Sequence, residues 1–247
     1  MSALENLRKD IRMRLESDSI MSTAWLLVYL IPVISLVTMF SLFVVAFVHP
    51  EIAWLFMIVI VVLSVIGFIV SIVLIYKLVK RRNTHFKRQT FLFEDALTTI
   101  KDVASKKDVN VDVELSSCER TLREMKAEET EKSAALWAIL SAIIFIATWY
   151  VYYFLMKDFY KHERREEGLL EDVSRVLSKC DIAFTPTRRM EMVPDRSFVL
   201  YLILSIITLG LFNIYWLYVL IKDPNNHFKY HIHFEDELLK TLESAAA

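Results

Sequence analysis

Glycine, proline and cysteine are all scarce in this sequence of 247 residues, which contains 3 glycines, 5 prolines and 2 cysteines. Glycine and proline are the main turn-forming residues, so their scarcity argues against a turn-rich fold and predicts an almost wholly helical chain. Cys118 and Cys180 lie far apart in polar stretches, without a C-x-x-C spacing. This pattern indicates neither a disulfide framework nor a thiolate zinc site.

Motifs of soluble enzymes and of nucleic-acid binding are missing as well. The chain has no glycine-rich phosphate loop, no G-x-S-x-G elbow and no H-E-x-x-H order. Its adjacent Glu-Asp pairs do not fit acid–base dyads, because neighbouring residues on a helix point about 100° apart. The formal net charge is −1 and there is no basic tract. We therefore predict that the protein is not an enzyme and does not bind nucleic acid.

Charged residues are absent from four long apolar runs, at 22–48, 52–76, 135–156 and 197–221. Each run exceeds the roughly 20 residues that an α-helix needs to cross a bilayer. The sequence predicts an all-α, polytopic membrane protein with four apolar segments, joined by amphipathic cytosolic helices. Basic residues flank the first two runs, which predicts that both termini and the stretch 81–134 lie in the cytoplasm.

The third and fourth runs leave two arrangements open. Four spans would place the polar stretch 157–196 outside, yet that stretch carries nine Lys and Arg residues, typical of a cytoplasmic loop. Alternatively, both runs are re-entrant and return to the side they came from. Thr208-Leu209-Gly210 offers a turn in the fourth run, whereas the third has neither glycine nor proline. We favour four spans.

The expected organisation has seven parts. They are a cytosolic lead-in (1–21), a transmembrane hairpin (22–80), a cytosolic helical module (81–134), a third membrane segment (135–157), a polar helical arm (158–196), a fourth membrane segment (197–222) and a cytosolic C-terminal arm (223–247). The last helix of the module is expected to begin near Ser116 and to continue to residue 157 as one helix on the order of 60 Å long.

One motif, Y-x-L-x-K-x4-H, occurs three times where an apolar run ends, beginning at Tyr76, Tyr153 and Tyr218. It predicts an internal repeat, in which equivalent residues have equivalent roles. Aromatic rings and lysines at these positions suit the headgroup level of a membrane. The expected interface anchors are Tyr76, Lys80, Tyr153, Lys157, Trp216, Tyr218 and Lys222.

The motif histidines are candidates for a transition-metal site. His85, His162 and His227 are equivalent in register, and His227, His231 and Glu235 follow at i, i+4 and i+8 on one helix face. The alternative is that each histidine is only a polar residue at the membrane surface, in which case no cofactor is expected. Four spans would put His162 on the opposite side from the other two.

Residues 205–223 read S-I-I-T-L-G-L-F-N-I-Y-W-L-Y-V-L-I-K-D. This segment resembles a family of prokaryotic multi-pass membrane proteins that is catalogued only as a domain of unknown function, with repeated T-[LF]-G-[IL]-x-x-I-Y-W-x-Y segments. The matching residues are Thr208, Gly210, Tyr215, Trp216, Tyr218, Lys222, Asp223 and Asn225. The resemblance implies a prokaryotic (bacterial or archaeal) plasma-membrane protein and implies no activity.

The charge-balanced arms and smooth apolar runs favour a scaffold or accessory subunit that binds partners through its helical arms. The alternative is an oligomeric ion channel or transporter. Transporters usually keep ionisable residues within their spans, and the four runs contain no Asp, Glu, Lys or Arg. The expected partners are the lipid bilayer, other membrane or cytosolic proteins and further copies of the chain.

Overall fold

The computed structural model describes residues 2–246, with the backbone alone for Phe145. All regular secondary structure within these residues is helical. The helices are α1 (Ala3–Arg12), α2 (Arg14–Ser17), α3 (Leu30–Val48), α4 (Ala53–Lys106), α5 (Asp112–Glu128), α6 (Ala134–Ile143), α7 (Phe145–Lys179), α8 (Phe198–Ile207) and α9 (Phe212–Ala246). Short 3₁₀ helices at Thr23–Tyr29 and Pro50–Ile52 precede α3 and α4.

The first two apolar runs form a helical hairpin. In the described part of the chain, two helices are long and apolar enough to cross a membrane, Thr23–Val48 and Pro50–Lys106. They pack against each other around a tight turn at residues 49–52. Most of their apolar side chains face outward, as Phe40 and Phe47 do at 70% and 89% exposure. Outward apolar surface of this extent is typical of helices that face lipid.

The third apolar run folds back on itself. It divides into α6 and the start of α7, and Ile144 breaks the helix with φ −117° and ψ 99°. The rings of Trp137 and Tyr150 lie 5.0 Å apart, and those of Trp137 and Phe154 lie 5.6 Å apart. One straight helix would separate the first pair by about 20 Å. The run is therefore an antiparallel hairpin of two short segments, although it contains no glycine or proline.

The fourth run forms a second hairpin, from α8 into α9. Its turn takes positive φ at Leu209 (50°) and at Gly210 (91°), the second of which favours glycine. Ser205 Oγ donates to Asn213 Oδ1 at 2.7 Å across the turn, and the rings of Tyr201 and Trp216 lie 5.4 Å apart. Neither the third nor the fourth run thus supplies the single long helix that four spans require. Both have the shape of the re-entrant alternative.

The expected 117–157 helix is wrong. α5 begins at Asp112 and ends at Glu128. Beyond it, backbone carbonyls bond to side chains of α4 instead of continuing a helix: Arg82 Nη1 donates to Thr130 O at 2.7 Å, and Asn83 Nδ2 donates to Lys132 O at 2.6 Å. These contacts turn the chain, so α5 lies along α7 and α6 returns to pack on α4.

Three long helices, α4, α7 and α9, run in the same direction, and each contributes residues to the same three layers in the same order. A first core takes residues 74–79, 151–156 and 216–221 of the three helices. Next comes a cluster of three phenyl rings, Phe86, Phe159 and Phe228, beside the motif histidines. A second core, shared with α1 and α5, takes residues 92–104, 169–177 and 234–242. We call the parts of α4, α7 and α9 that begin at the motif lysines the arms.

α4 and α7 also end alike. Asp108 and Asp181 both take φ 56° just after the helix. The next residue then donates back into the last turn, from Val109 N to Ala104 O at 3.0 Å and from Ile182 N to Leu177 O at 2.9 Å. A left-handed residue with this bond is a common helix stop. The two stops occur in the similar sequences A-S-K-K-D-V and L-S-K-C-D-I.

The hairpins predict from which side of the membrane single cysteines can be labelled. Glu51 lies at the α3–α4 turn, whereas Arg120 on α5 and Met190 in the α7–α8 loop belong to the arm end of the molecule, and all three side chains are exposed. We expect Arg120→Cys and Met190→Cys to react with an impermeant maleimide from one side of the membrane, and Glu51→Cys from the other. Native Cys118 and Cys180 are buried and give little background. Labelling of Met190→Cys from the Glu51→Cys side would contradict the hairpins.

Candidate metal centre

Four buried imidazoles gather between the two cores. His85 comes from α4, His162 from α7, and His227 and His231 from α9, and each is at most 2% exposed. Ring centroids of neighbouring members lie 4.4 to 5.3 Å apart. His85 and His227 are 142 residues apart in the sequence. All three motif histidines nevertheless meet at one point. They can do so because the three arms run in the same direction at the same level.

The imidazoles bring nitrogen atoms together. His227 Nε2 lies 3.1 Å from His85 Nε2 and 3.0 Å from His231 Nε2. One nitrogen from each of His85, His162 and His227 lies within 4.8 Å of the other two. His162 Nε2 is buried and has no hydrogen-bond partner among the described residues. A buried polar atom without a partner requires an explanation, and a bound ion is one.

Each imidazole meets a carboxylate through its other nitrogen, Nδ1. The four contacts are His85 to Asp18 at 2.8 Å, His162 to Glu129 at 2.8 Å, His227 to Glu163 at 3.1 Å and His231 to Glu235 at 2.9 Å. A carboxylate at Nδ1 favours a proton on that nitrogen and leaves the Nε2 lone pair free. Lone pairs that point at one another repel unless a cation lies between them.

Glu166 supplies a carboxylate on the inner side of the cluster. Its Oε1 lies 2.9 Å from His231 Nε2, and its Oε2 lies 3.9 Å from His227 Nε2. Glu166 follows His162 by four residues, as Gln89 follows His85 and His231 follows His227. Residues four apart share a helix face, so each arm presents two polar groups to the cluster.

Two arginines tie the carboxylates together. Arg88 Nη2 donates to Asp18 Oδ2 at 2.7 Å and to Glu235 Oε1 at 2.8 Å. Arg189 Nη1 donates to Glu163 Oε2 at 3.0 Å, lies 3.0 Å from His227 Nδ1, and its Nη2 bonds to Glu166.

Within the histidine cluster, the carboxylates outnumber the buried guanidiniums that contact them. Five carboxylates of the cluster are at most 4% exposed and two contacting guanidiniums, those of Arg88 and Arg189, at most 6%, which leaves a formal excess of three negative charges in this set. The buried guanidiniums of Arg81 and Arg82 bond outside it, to carbonyls of α9 and to Asp158. Arg14 and Arg165 at the rim each contact one of the cluster carboxylates and an exposed acid as well.

Burial and neighbouring charges separate the pKa values of the histidines. Burial lowers the pKa of His85 to about 4, although Asp18 acts in the opposite direction. Burial and His231 lower the pKa of His227 well below its ordinary value. For His231 burial also lowers the pKa, but Glu166 and Glu235 outweigh it and the net pKa is raised. Of His85, His227 and His231, the last therefore holds a proton most readily.

Four of the five buried carboxylates have lowered pKa values in spite of their burial, whereas burial raises the pKa of Glu163. Burial alone would raise the pKa of Asp18, but His85 and Arg88 bring it far below its usual range. His231 and Arg189 likewise lower the pKa of Glu166, and His162 and Arg165 lower that of Glu129. Neutral imidazoles beside ionised carboxylates are the forms that bind metal ions.

Segments outside the repeated motif close the cluster. Asp18 follows α2, Glu129 lies just after α5, and Arg189 lies in the α7–α8 loop. Arg14 reinforces the first of these closures by donating to Glu235 and Asp236 on α9. Three different loops thus cover the histidines, and the site has no wide opening to solvent.

All five residues predicted for the metal site lie in this cluster. His85, His162, His227 and His231 present nitrogens to one another, whereas Glu235 bonds to the Nδ1 side of His231 and to Arg88. Sequence reasoning missed Asp18, Glu129, Glu163, Glu166, Arg88 and Arg189. The position four residues after each motif histidine would have indicated Glu166. No sequence pattern marks Asp18, Glu129 or Arg189.

The predicted interface anchors have different surroundings. Tyr76 and Tyr153 are each 37% exposed, and Tyr218 is partly buried. Lys157 pairs with Asp195, and Lys222 pairs with Glu191 at 2.9 Å. Lys80 is exposed and stacks near Tyr76. Trp216 is fully buried against Tyr152 and Tyr201, so its ring fills the first core and does not fit the anchor role.

Comparison with known proteins gives one family match. Residues 196–234 match a family described as a domain of unknown function (DUF4234). The matched segment holds α8 and the part of α9 that carries His227 and His231. No curated protein and no solved structure matches the chain.

The low pKa of His85 predicts how the metal-free protein responds to acid. Between pH 6.5 and about 4 the unfolded chain protonates this histidine while the folded protein does not, so stability falls as pH falls. One such group contributes at most about 1.4 kcal/mol per pH unit. We compare His85→Gln with the parent, both in detergent with a chelator. Between pH 7 and 5, the midpoint of unfolding should fall less in His85→Gln than in the parent. His233→Gln, at an exposed position on α9, should follow the parent, and an unchanged slope in His85→Gln would contradict the assignment.

Proposed function

We propose that this chain is an integral membrane protein that binds a divalent transition-metal ion in the histidine cluster, where the ion holds the three arms together. The observation that carries the proposal is the orientation of the imidazoles. Their Nδ1 atoms face carboxylates, and their remaining nitrogens converge. This is the arrangement in which protein carboxylates orient histidines that ligate a metal.

The distances suit a shared ion. Two nitrogens bound at about 2.0–2.1 Å to one transition-metal ion lie roughly 3.0–3.4 Å apart. The Nε2 pairs of His85 with His227 and of His227 with His231, at 3.1 and 3.0 Å, fall at the short end of this range. Glu166 Oε1, 2.9 Å from His231 Nε2, is placed to complete the set.

The charge of the cluster supports a cation. Buried charges are costly unless they are paired, and in the cluster five buried carboxylates contact only two buried guanidiniums, those of Arg88 and Arg189. A divalent ion offsets most of this excess. In its absence, Glu166 and Glu235 raise the pKa of His231 against the effect of burial, and a proton on this imidazole would offset one charge.

The ligand types favour zinc, copper(II), iron, cobalt or nickel. Imidazole and carboxylate groups suit these divalent ions, and soft ions such as copper(I) prefer sulfur. Both cysteines pack in the second core and take part in none of the histidine and carboxylate groupings. We therefore propose coordination by nitrogen and oxygen alone.

The closed surroundings favour a structural role for the ion. Catalytic metal sites keep an open position for water or substrate, whereas structural sites are closed by protein ligands. The four histidines and Glu166 are all at most 2% exposed. An ion bound here would connect α4, α7 and α9, so its binding free energy would add to the stability of the arms.

The membrane arrangement that we propose has two spans and two re-entrant hairpins. The two long apolar helices, Thr23–Val48 and the apolar part of Pro50–Lys106, cross the bilayer. α6 and α8, with 10 residues each, are about 15 Å long and reach about halfway into the hydrocarbon. All three arms then lie on the cytoplasmic side of a prokaryotic plasma membrane, and the repeated motif reflects a repeated unit.

Two other functions were expected from the sequence, a scaffold and a channel or transporter. A scaffold that captures partners stays a prediction, but the apolar faces of the arms are covered by one another in the second core. A channel or transporter also stays a prediction. No observation on the described residues favours either one over metal binding.

Metal binding can be tested by loosening one histidine without removing a ligand. Glu129→Ala frees Nδ1 of His162, and loss of such a carboxylate typically weakens metal binding 10- to 100-fold. Glu128→Ala is the matched control, because Glu128 is the exposed neighbour of Glu129. Metal content by mass spectrometry and zinc titration by calorimetry, both on purified protein in detergent, give the readout.

We expect about one ion per chain in the parent and in Glu128→Ala, and weaker binding in Glu129→Ala. His227→Ala should abolish binding, while His233→Ala leaves it unchanged. A parent protein that binds no zinc, cobalt, copper, nickel or iron would overturn the proposal. Equal affinity in parent and Glu129→Ala would contradict the role of the carboxylates.

A further inference from the structure

We propose that a second site, separate from the histidine cluster, binds the phosphate of an anionic phospholipid in a basic cavity beside α4. The cavity has a volume of about 670 Å³ and lies between the segment that joins α2 to α3, α4 and α6. Lys77, Lys80 and Arg81 supply its positive charge. This inference does not rest on the proposed metal.

Arg81 is a buried cation in the lining of this cavity. It is 3% exposed and forms no ion pair with a carboxylate of the described residues. Its guanidinium donates to Leu220 O at 2.9 Å, to Ile221 O at 3.2 Å and to Asn225 Oδ1 at 3.1 Å. Leu220 O is a carbonyl that Pro224, without an N–H, leaves free within α9. Arg81 is thus fixed in place while its charge is uncompensated.

The charge of Arg81 persists at neutral pH. Burial lowers the pKa of its guanidinium to about 9, which is still above the pH of a cytoplasm. A buried cation without an anionic partner is expensive. A phosphate oxygen in the adjoining cavity would offset that cost.

The motif lysines provide an internal comparison. Lys157 and Lys222 pair with Asp195 and Glu191. Lys80, at the equivalent position, has no such acid among the described residues and lines the cavity together with Lys77. Glu16 is the one acid in the lining, against three basic groups. Of the three equivalent positions, only the first therefore keeps a lysine available for an external anion.

The hydroxyl groups of Ser19 and Ser22 add donors for a phosphate, and the lining also includes the apolar side chains of Trp25, Ile72 and Ala138. A neighbouring cavity of about 340 Å³ shares Ser22 and Trp25 with the first. A third, of about 590 Å³, shares Val28 and Ile31 with the second and extends along α3 and α4. Three cavities that share lining residues in this order, with the basic one at one end, fit a phosphate headgroup followed by an acyl chain.

The test compares two double variants with the same loss of charge. Lys77→Gln with Lys80→Gln removes the exposed lysines of the cavity, and Lys157→Gln with Lys222→Gln removes the equivalent paired ones. Nanodiscs or mixed micelles containing phosphatidylglycerol, or phosphatidylcholine alone, present the lipid. Inorganic phosphate, added to detergent-purified protein, presents the free anion. Bound lipid is measured by native mass spectrometry, and phosphate by calorimetry.

We expect the parent to retain phosphatidylglycerol over phosphatidylcholine, and the cavity variant to lose about tenfold in that retention. The Lys157→Gln/Lys222→Gln variant should stay within about twofold of the parent. Equal losses in both double variants would overturn the site in favour of general surface charge. Phosphate that binds as tightly as the lipid would overturn the lipid assignment. An unchanged metal content in the cavity variant separates this result from the fate of the histidine cluster.

Discussion

The convergence of the three motif histidines is the constraint on which the rest of the structure depends. His85, His162 and His227 meet because α4, α7 and α9 run in the same direction and place their histidines in the same layer. Because consecutive arms are parallel, the chain must return to its starting side between them, and the two hairpins at Ile144 and at Thr208–Leu211 provide this return. The buried cluster and the short apolar helices are therefore two consequences of one arrangement.

The same constraint explains why the polar layer is so dense. The first and second cores are apolar, so the histidines, five carboxylates and two arginines between them are removed from water. Buried polar groups of this kind are tolerated only when they are paired. The loops that carry Asp18, Glu129 and Arg189 supply those pairings. These loops leave negative charge unmatched at the histidine cluster, where we propose a divalent ion, and positive charge is unmatched at the basic cavity, where we propose a phosphate.

The sequence predicted the helical class, the α3–α4 hairpin and the candidate ligands, because repeat register and apolar runs are local patterns. For the third and fourth runs it left re-entrant hairpins open but favoured four spans, whereas both runs fold as hairpins of short helices. Ile144 breaks its helix with no glycine or proline nearby, since contacts such as Trp137 with Tyr150 determine that turn. Asp18 and Glu129 lie in segments that meet the histidines only after folding. No residue spacing in the sequence therefore predicts their carboxylates as part of the site. The Lys and Arg residues of the stretch 157–196 were the sequence feature that argued against four spans, because four spans would place this stretch outside.

X-ray absorption at the metal edge of the purified protein is the sharpest check on the metal centre, since it reports the atoms around the ion without any variant. We expect a nitrogen and oxygen shell at about 2.0–2.1 Å, with the multiple-scattering pattern of three or four imidazoles. A sulfur scatterer at about 2.3 Å, or a shell without imidazole, would contradict this coordination.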